Sequence, residues 1–539
     1  MGFKNMITRY NSIPVRKAGT VILLVYSIFL IVMLYLHVPT LDEAQSWLIA
    51  RDASYRDIFF YLPHYESHPP FWHLLLSLPA KLGVSYELGL KSIEFASAFL
   101  MISFFVFLSP FNNLIKTFVP FTYFMFYQYG VMSRPYAFLV SGIFLCAHFI
   151  GTRRENPLRL IAALAYLCLW SAYGIAVAGG IAAVWTAETV FEAVMGGMDP
   201  VKFLLSDRKR IMGLIALLVF AAALIYEISP ASDNYVAIST NEGTVSYLTD
   251  YCRLFFMLPS EAFFTNLAGE GAGKADIMTV IITGLISVIL LAVTFCFCKA
   301  ARMVRYMVFP LLCFYVIAAR YISVHHYGLA GILLIFALWV SHDSVVKGGE
   351  TITTEGIFKV IRPVSLVLVT GMILIGMYWS VIASLNENTY PVASGRRLAQ
   401  TARELGIGKG EVTANAAWYI KKDDNGNILR IYYGEGTNVF VPAAPYFKHN
   451  VISGLYPDNT YCVTKVASDS ESSLLLGSIR ERPDPDYIFS NSEQTMEDYL
   501  EYTGIKSDYT KIDVIPSGNC YKDSGINFIG TYVYARNAQ

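Results

Sequence analysis

The sequence predicts a polytopic α-helical membrane protein of about 11 transmembrane helices, with a C-terminal extracytoplasmic α/β or α+β domain. Of its 539 residues, 55% are hydrophobic and only 15% are charged, which is far more apolar than a soluble domain. Beyond residue 384 the charges return and short mixed elements follow one another. We therefore expect residues 1–383 to form the membrane domain and residues 384–539 to form a soluble domain.

The predicted spans follow from the thickness of the bilayer. A hydrocarbon core of about 30 Å needs about 20 apolar helical residues, because lipid offers no hydrogen-bond partners to an open backbone. The segments that fit or nearly fit are 18–36, 88–108, 114–129, 136–150, 158–173, 174–194, 211–228, 276–298, 305–319, 327–341 and 362–383.

The distribution of basic residues predicts the orientation. With a cytoplasmic N-terminus, the inner connections and their flanks hold seventeen Lys and Arg residues, leaving the interfacial stretch and the span interiors out of the count. The outer ones hold six, namely Arg51, Arg56, Arg134, Arg253, Lys274 and Arg320. By the positive-inside rule we expect a multi-pass protein of the cell (plasma) membrane with its C-terminal domain outside. The first apolar segment lacks a small-residue cleavage site and is predicted to be a retained span.

The soluble region shows ordinary signals of secondary structure. Residues 394–406 predict a helix that stops at Gly406, and Asn425-Gly426 predicts the turn of a hairpin. Residues 495–504 predict a second helix, and the alternation in residues 526–536 predicts a strand.

Neither the charge balance nor the cysteines indicate a nucleic-acid or zinc protein. The 41 basic and 41 acidic residues cancel, so no polyanion such as nucleic acid is an expected partner. Six of the eight cysteines lie in or beside apolar segments, without zinc-site spacing, and are interpreted as packing residues. Cys462 and Cys520 lie alone in the polar region, where an oxidising compartment would allow a disulfide.

The first outer loop carries the most informative residues. Asp42 and Glu43 follow the first span directly, and adjacent helical residues point about 100° apart, so the two carboxylates should serve different partners. The simpler alternative is that Asp42 only caps a helix beginning at Glu43. Farther along, Glu66 and His68 precede the proline pair at 69–70. The prolines should fix these two side chains at the entry of the stretch 69–82, which is too short to span and is predicted to lie in the interface.

Other polar residues are predicted on the same side of the membrane. Arg134 and Tyr136 lie between the third and fourth spans, and Tyr173 lies between the fifth and sixth. The connection between the ninth and tenth spans contributes Arg320, Tyr321, His325 and His326. Each also fits a role as an interfacial anchor, since Arg and Tyr favour that depth.

In this order and on one membrane face, the motifs resemble the GT-C superfamily of membrane glycosyltransferases, which includes protein O-mannosyltransferases, aminoarabinose transferases and RgtA/B/C/D-like bacterial enzymes. The resemblance covers roughly residues 18–340. It is carried by the Asp42-Glu43 pair, the His68-Pro-Pro motif before an interfacial helix, and Arg134-x-Tyr136 at a hairpin between spans.

The resemblance implies a polyprenyl-phosphate-sugar donor and a transfer with inversion. Asp42 matches the catalytic carboxylate of the family, which removes the proton from the acceptor hydroxyl. Arg134, Arg320 and His68 are the candidates for binding the donor phosphate. Glu43 and Glu66 would orient the acceptor or hold a divalent ion. With Glu66, the expected substrate-binding residues are Tyr136, Tyr321, His325 and His326.

One departure affects the phosphate site. Aminoarabinose transferases have a lysine where this chain has His68, so the charge at that position depends on pH. No cofactor is certain, although a divalent metal at Glu66 and His68 is possible. The partners implied are a polyprenyl-phosphate sugar, membrane lipid, and an acceptor that is a glycan, a lipid or a protein.

Two other functions fit a chain with many spans. A transporter or lipid flippase would place ionisable groups at mid-membrane. The nearest to that here are Lys91 and Glu94, which are one turn apart near the outer end of the second span and could pair with each other. A sensor or scaffold would bind wall components through the outer domain. Asp42→Asn distinguishes these functions from an enzyme, because only a transferase would lose its activity.

Overall fold

The computed structural model describes residues 3–234, 244–270, 276–348, 357–389, 394–432, 439–452, 464–466, 468–526 and 530–537. It is mostly helical, with a small sheet region near the C-terminus. Cys462 lies outside the described residues, and the side chain of Cys520 is likewise not described, so their disulfide stays a prediction.

The first part of the chain, through residue 234, is helical. Its helices are α1 (Phe3–Asn11), α2 (Val15–Leu36), α3 (Leu41–Asp52), α4 (Tyr55–Phe60), α5 (Pro63–Glu66), α6 (Phe71–Lys81), α7 (Tyr86–Leu108), α8 (Asn113–Phe118), α9 (Tyr136–Ile150), α10 (Pro157–Cys168), α11 (Ala172–Met195), α12 (Pro200–Ser206) and α13 (Arg208–Ile228).

The helices continue through the middle of the chain and into the C-terminal region. They are α14 (Thr244–Glu261), α15 (Leu267–Glu270), α16 (Ile277–Ala300), α17 (Val304–Tyr321), α18 (Tyr327–Gly348), α19 (Ile357–Thr389), α20 (Gly395–Glu404), α21 (Asp469–Arg480) and α22 (Glu493–Thr503).

Eight of the described helices are long and apolar enough to cross a membrane, namely α2, α7, α11, α13, α16, α17, α18 and α19. The chain is therefore a multi-pass membrane protein. The predicted fourth and fifth spans correspond to the shorter apolar helices α9 and α10. The total of eleven spans stays a prediction.

The predicted third span, 114–129, is not one regular helix. It consists of α8, a 3₁₀ turn at Val119–Phe121 and a π-helix at Phe124–Val131. Pro120 lacks a backbone N–H and cannot continue α8. The π-helix leads into Arg134, and π-helical turns are frequent at functional sites.

The strands belong to the C-terminal region. They are β1 (Ala414–Ala416), β2 (Tyr419–Lys422), β3 (Ile428–Tyr432), β4 (Tyr487–Ser490), β5 (Tyr509–Ile515), β6 (Asn519–Tyr521), β7 (Ser524–Ile526) and β8 (Thr531–Arg536). The main sheet has the order β1-β4-β8-β5, in which β1 and β4 are parallel and the other pairs are antiparallel. The pairs β2-β3 and β6-β7 are separate hairpins.

The predicted elements of this region are confirmed where the structure describes them. Helix α20 stops before Gly406, whose φ is +83°. The β2-β3 hairpin turns at Gly426, with φ +85°, and α22 ends at Gly504 in the left-handed conformation. Of the predicted strand 526–536, Thr531–Arg536 forms β8, while Ile526 ends β7.

The chain forms two compact units. The helical unit comprises Met1–Tyr35, Glu94–Ile228 and Glu242–Ser384, and the mixed unit comprises Leu36–Ile93, Ser229–Asn241 and Leu385–Gln539. The first outer loop thus belongs to the same unit as the C-terminal domain. The predicted division of the chain at residue 383 does not include this loop in that domain.

Helix α6 lies in the stretch 69–82, which the sequence predicts to lie in the interface. Leu78 is 57% exposed, whereas Trp72, His73, Leu76 and Ala80 are buried. A short helix that buries one side and exposes leucine on the other fits the predicted interfacial position.

Candidate functional site

A buried network of charged residues lies at the N-terminal end of α3 in the mixed unit. Nδ1 of His37 is 2.7 Å from Oε1 of Glu387, and Nε2 of His37 is 3.0 Å from Oε2 of Glu43. The backbone N–H and the hydroxyl of Thr40 also donate to Oε2 of Glu43, at 2.7 and 2.8 Å. The imidazole and the Glu43 carboxylate are fully buried.

His37 is held as an imidazolium by this environment. Burial alone would lower the pKa of His37, but the carboxylates of Glu43 and Glu387 outweigh it and raise the pKa to about 10. A cation between two carboxylates satisfies charges that would otherwise be costly to bury. The segment between His37 and Glu43 is therefore fixed to the start of the C-terminal part of the chain.

The helix that carries the two predicted catalytic carboxylates begins at Leu41. Thr40 is its N-cap, and a capping box joins Thr40 to Glu43. The alternative in which Asp42 caps a helix beginning at Glu43 is therefore wrong, because Glu43 supplies the capping carboxylate. Asp42 lies one position earlier, in the first turn, and is half-buried.

Glu66 and His68 meet at a strained bend between α5 and α6. Oε1 of Glu66 accepts a hydrogen bond of 2.6 Å from Nε2 of Gln45 on α3. Nδ1 of His68 lies 2.9 Å from the carbonyl oxygen of Glu66, which can only accept, so Nδ1 carries a proton. Ser67 between them has φ +54°, which is uncommon for a residue other than glycine and clusters at functional sites.

Other parts of the mixed unit form hydrogen bonds with the first loop at α5. Tyr65 on α5 donates to the carboxylate of Asp233 at 2.9 Å, and its carbonyl accepts from the hydroxyl of Thr464 at 2.8 Å. The backbone N–H of Val466 donates to the carbonyl of Asp233 at 2.8 Å. Chain segments far apart in sequence thus fix α5, the short helix that ends at Glu66.

A second set of contacts joins the start of α7 to the C-terminal domain. The carboxylate of Glu87 accepts from Arg396 on α20 and from the hydroxyl of Tyr446. Lys91 also donates to Glu87, at 2.5 Å, and to the carbonyl of His37 at 2.7 Å. The predicted pairing of Lys91 with Glu94 is wrong, because the i,i+4 partner on its N-terminal side, Glu87, takes that place.

In the helical unit, the two predicted histidines meet the predicted Arg-x-Tyr motif. Nη1 of Arg134 is 3.2 Å from Nε2 of His325, and its guanidinium lies 5.4 Å from the ring centre of Tyr136. The hydroxyl of Tyr136 is 2.7 Å from Nε2 of His326. Residues from two connections about 190 positions apart in the chain therefore form one polar cluster.

The orientation of His326 follows from its hydrogen bonds. Nδ1 accepts from the backbone N–H of Ser323 at 2.9 Å, so in neutral His326 the proton is on Nε2, which faces Tyr136. Tyr173 lies 3.3 Å from the same Nδ1 and donates to the carbonyl of Tyr321 at 2.9 Å. Tyr173 thus links α11 to the connection that follows α17.

Arg320 has a different neighbour. Its guanidinium lies 5.4 Å from the ring centre of Tyr247 on α14, a cation–π contact. Tyr321 enters the cluster through its backbone carbonyl.

Several residues of these networks carried no predicted role. Among them, His37 directly follows the first predicted span, but its role depends on Glu387, 350 positions away. Gln45 and Tyr247 show no signal that sequence spacing alone would reveal. In the described part of the chain, no group of three His, Cys, Asp or Glu residues gathers to hold a metal ion. A metal at Glu66 and His68 stays a prediction.

No family model and no curated protein match this chain. It is similar to the crystal structure of ArnT from Cupriavidus metallidurans in the apo state, with 12% identity, a TM-score of 0.38, and coverage of 96% of this chain and 98% of that one. It is also similar to the single-particle cryo-EM structure of arabinofuranosyltransferase AftD from Mycobacteria, with 13% identity, a TM-score of 0.32, and coverage of 96% and 40%.

Proposed function

We propose that the chain is a glycosyltransferase of the GT-C type that transfers a sugar, with inversion, from a polyprenyl-phosphate donor to an extracytoplasmic acceptor. The observation that carries this proposal is the division of roles between two adjacent carboxylates. Glu43 is fully buried and engaged by His37 and Thr40, whereas Asp42, on the preceding helical position, is half-buried. A helix start held by the buried Glu43, with a second carboxylate on the adjacent position, is suited to position a general base.

In the proposed reaction, the Asp42 carboxylate takes the proton of an acceptor hydroxyl. The acceptor oxygen forms a bond to the anomeric carbon while the bond from that carbon to the phosphate oxygen breaks. Its electron pair stays on the departing polyprenyl phosphate. Because this is a single displacement, the configuration at the anomeric carbon inverts.

The leaving phosphate gains negative charge, which fixed cations and hydrogen-bond donors stabilise. Arg134 is the first candidate, since His325 and Tyr136 fix its guanidinium. Arg320 and His68 are further candidates. Glu66 and the residues of the helical-unit cluster, including Tyr321 and His326, are proposed to contact the sugar or the acceptor.

In this proposal, Glu43 is a positioning residue, because its oxygens already bond to His37 and Thr40. The proposed location is the cell membrane, with a cytoplasmic N-terminus and the C-terminal domain outside. The proposed acceptor is a surface glycan, a lipid or a protein.

The test compares Asp42→Asn with Asp508→Asn in membranes containing the full-length protein. Asp508 is exposed in the C-terminal domain and provides the same chemical change away from the loop. The membranes are incubated with a panel of labelled polyprenyl-phosphate sugars, and release of sugar from the lipid is followed with time. We expect the wild type and Asp508→Asn to consume one of the donors and Asp42→Asn to consume none, with equal amounts of inserted protein.

Two results would contradict the proposal. If the wild type neither binds nor consumes any lipid-linked sugar, the protein is not this kind of transferase. If Asp42→Asn retains full transfer, Asp42 is not the base. A transporter or flippase would move lipid or glycan across the membrane equally well with either side chain at position 42.

A further inference from the structure

An apolar groove lies on the helical unit, remote in sequence from the residues proposed for catalysis. It has a volume of about 670 Å³ and is formed by α1, α8 and α19, with Met6 and Ile7, Leu114 and Phe118, and Thr370 and Leu374 among its walls. This volume lies within the range of about 300–1,000 Å³ that is typical of ligand pockets. Met6 is 56% exposed and Leu374 is 63% exposed, so the groove opens to the surroundings of the unit.

The groove is held in shape by hydrogen bonds between α1 and α8. The side-chain amide of Asn113 donates to the carbonyls of Tyr10 and Ile13 at 3.1 and 2.9 Å, and the backbone N–H of Leu114 donates to Oδ1 of Asn11 at 3.2 Å. The hydroxyl of Tyr10 lies 2.5 Å from Oγ1 of Thr117. Since these polar groups satisfy one another, the groove offers an occupant an almost wholly apolar wall.

The helices that form the groove, and the start of α2 that follows α1, carry basic residues and few acidic ones. Residues 1–41 include no acidic residue, and Arg9, Arg16 and Lys17 are exposed. Helix α8 also lacks acidic residues, and the first acid on α19 is Glu387, near its far end. Arg362 is exposed on α19, about 12 Å along the helix from Thr370 at 1.5 Å per residue. Positive charge beside a hydrophobic groove complements a ligand with an anionic head and an apolar chain.

We propose that the groove binds an acyl chain of an anionic glycerophospholipid, whose phosphate is held by Arg9 in the last turn of α1 and by the basic residues at the starts of α2 and α19. Basic clusters next to membrane helices attract anionic lipid headgroups. We choose an acyl chain as the occupant because a volume of about 670 Å³ suits a single chain better than a longer, branched polyprenyl chain. This site does not depend on the proposed glycosyl transfer.

The test is native mass spectrometry of the full-length protein in detergent. Equal amounts of dioleoyl phosphatidylglycerol and dioleoyl phosphatidylcholine are added, and the lipid adducts are counted. We expect the phosphatidylglycerol adduct to exceed the phosphatidylcholine adduct by about fivefold to tenfold, from charge contacts with a few basic residues. Equal adducts would overturn the anionic selectivity.

Two groups of variants test separately the groove that binds the acyl chain and the basic residues that bind the phosphate. Ile373→Trp fills the groove, and Met6→Glu places a charge at its exposed rim with less risk to folding. Both should lose the adduct, while Leu218→Trp, on an exposed position of α13 away from the groove, should keep it. Arg9→Gln combined with Arg16→Gln and Lys17→Gln should bind both lipids equally. Unchanged adducts in both groove variants would overturn the proposal.

Competition experiments distinguish a lipid headgroup from a soluble phosphate ester as the source of the bound phosphate. Free glycerol phosphate at millimolar concentration should leave the phosphatidylglycerol adduct unchanged, because it has no chain for the groove. Displacement by glycerol phosphate would show a site for soluble phosphate esters and overturn the lipid assignment. Displacement of the phosphatidylglycerol adduct by an equimolar amount of polyprenyl phosphate in the wild type would instead assign the groove to a polyprenyl chain, and would equally overturn the proposal.

Discussion

Nε2 of His37 lies 3.0 Å from Oε2 of Glu43, and both side chains are fully buried at the start of the helix that carries Asp42. The other ring nitrogen of His37 is 2.7 Å from Glu387. The imidazolium therefore ties the residue next to the proposed base to a carboxylate at the end of α19. The stability of this loop and the position of Asp42 should change together.

Removal of the His37 charge should destabilise the protein strongly. His37→Gln leaves Glu43 and Glu387 buried without their shared cation, and breaking a buried ion pair typically costs about 3–5 kcal/mol. We expect a clearly lower thermal midpoint of the purified protein. Adding Glu387→Gln to His37→Gln should recover part of the loss, because one buried charge is removed with it. A double variant less stable than His37→Gln would argue against the ion pair.

The same network predicts a pH dependence. The pKa of His37 is raised in the folded state to about 10, above the value of about 6.5 in the unfolded chain. Its contribution to stability is therefore fully present below pH 6.5 and is lost as the pH rises through about 10. Thermal midpoints measured from pH 6 to pH 10 should fall more steeply for the wild type than for His37→Gln. Parallel curves would show that His37 does not hold its proton as described.

Gly89 on α7 tests the packing around α3. A Cβ at this position would lie 2.8 Å from Cζ3 of Trp47 on α3 and 3.2 Å from Cβ of Pro79 on α6. Trp47 is 2% exposed and cannot move freely, so Gly89→Ala should destabilise the mixed unit by about 1–3 kcal/mol. Gly477→Ala on α21 is the matched control, since nothing lies within 4 Å of its Cβ. Chemical denaturation should show a loss for position 89 alone.

The contact of Arg396 on α20 with the start of α7 should contribute more to stability than the contact of the adjacent Arg397. Arg396 bonds to Glu87, which Lys91 and Tyr446 also engage, whereas Arg397 is 62% exposed and 3.9 Å from Asp513. Arg396→Gln should lower stability by about 1 kcal/mol and speed protease cleavage near residue 394, because its pair is only partly exposed to solvent. Arg397→Gln should change neither quantity. Equal cleavage rates in the two variants would contradict the assigned contact.

Arg134 tests the proposed phosphate site. Arg134→Ala removes a charged hydrogen-bond donor, which is typically worth about 1.5–3 kcal/mol and corresponds to a loss of transfer of about 10-fold to 100-fold. Arg134→Lys should restore only part of the activity, because an ammonium cannot reproduce the planar contact with His325 and Tyr136. Arg159→Lys, at an exposed position, is the control. Full transfer by Arg134→Ala would remove Arg134 from the phosphate site.

The sequence by itself determined the membrane class, most span positions and some elements of the C-terminal domain, namely two helices, one hairpin and the last strand. Apolar length and glycine stops are local signals, since a helix needs about 20 apolar residues to cross lipid and a chain needs a permissive residue to leave a helix. For the same reason Gly406 follows the end of its helix and Gly426 lies in its hairpin turn, both with positive φ, as predicted. The stretch 114–129 departed from one regular helix because Pro120 interrupts its backbone bonds.

Only the tertiary structure decided which polar residues meet. The pairing of His37 with Glu387 and of Tyr136 with His326 joins positions 350 and 190 residues apart, and no local pattern encodes such distances. The same holds for the choice of Glu87 as the partner of Lys91, and for Glu43 as the capping carboxylate beside Asp42. A buried charge must find an opposite charge wherever the packed chain provides one, so these partners are set by packing and not by spacing along the sequence.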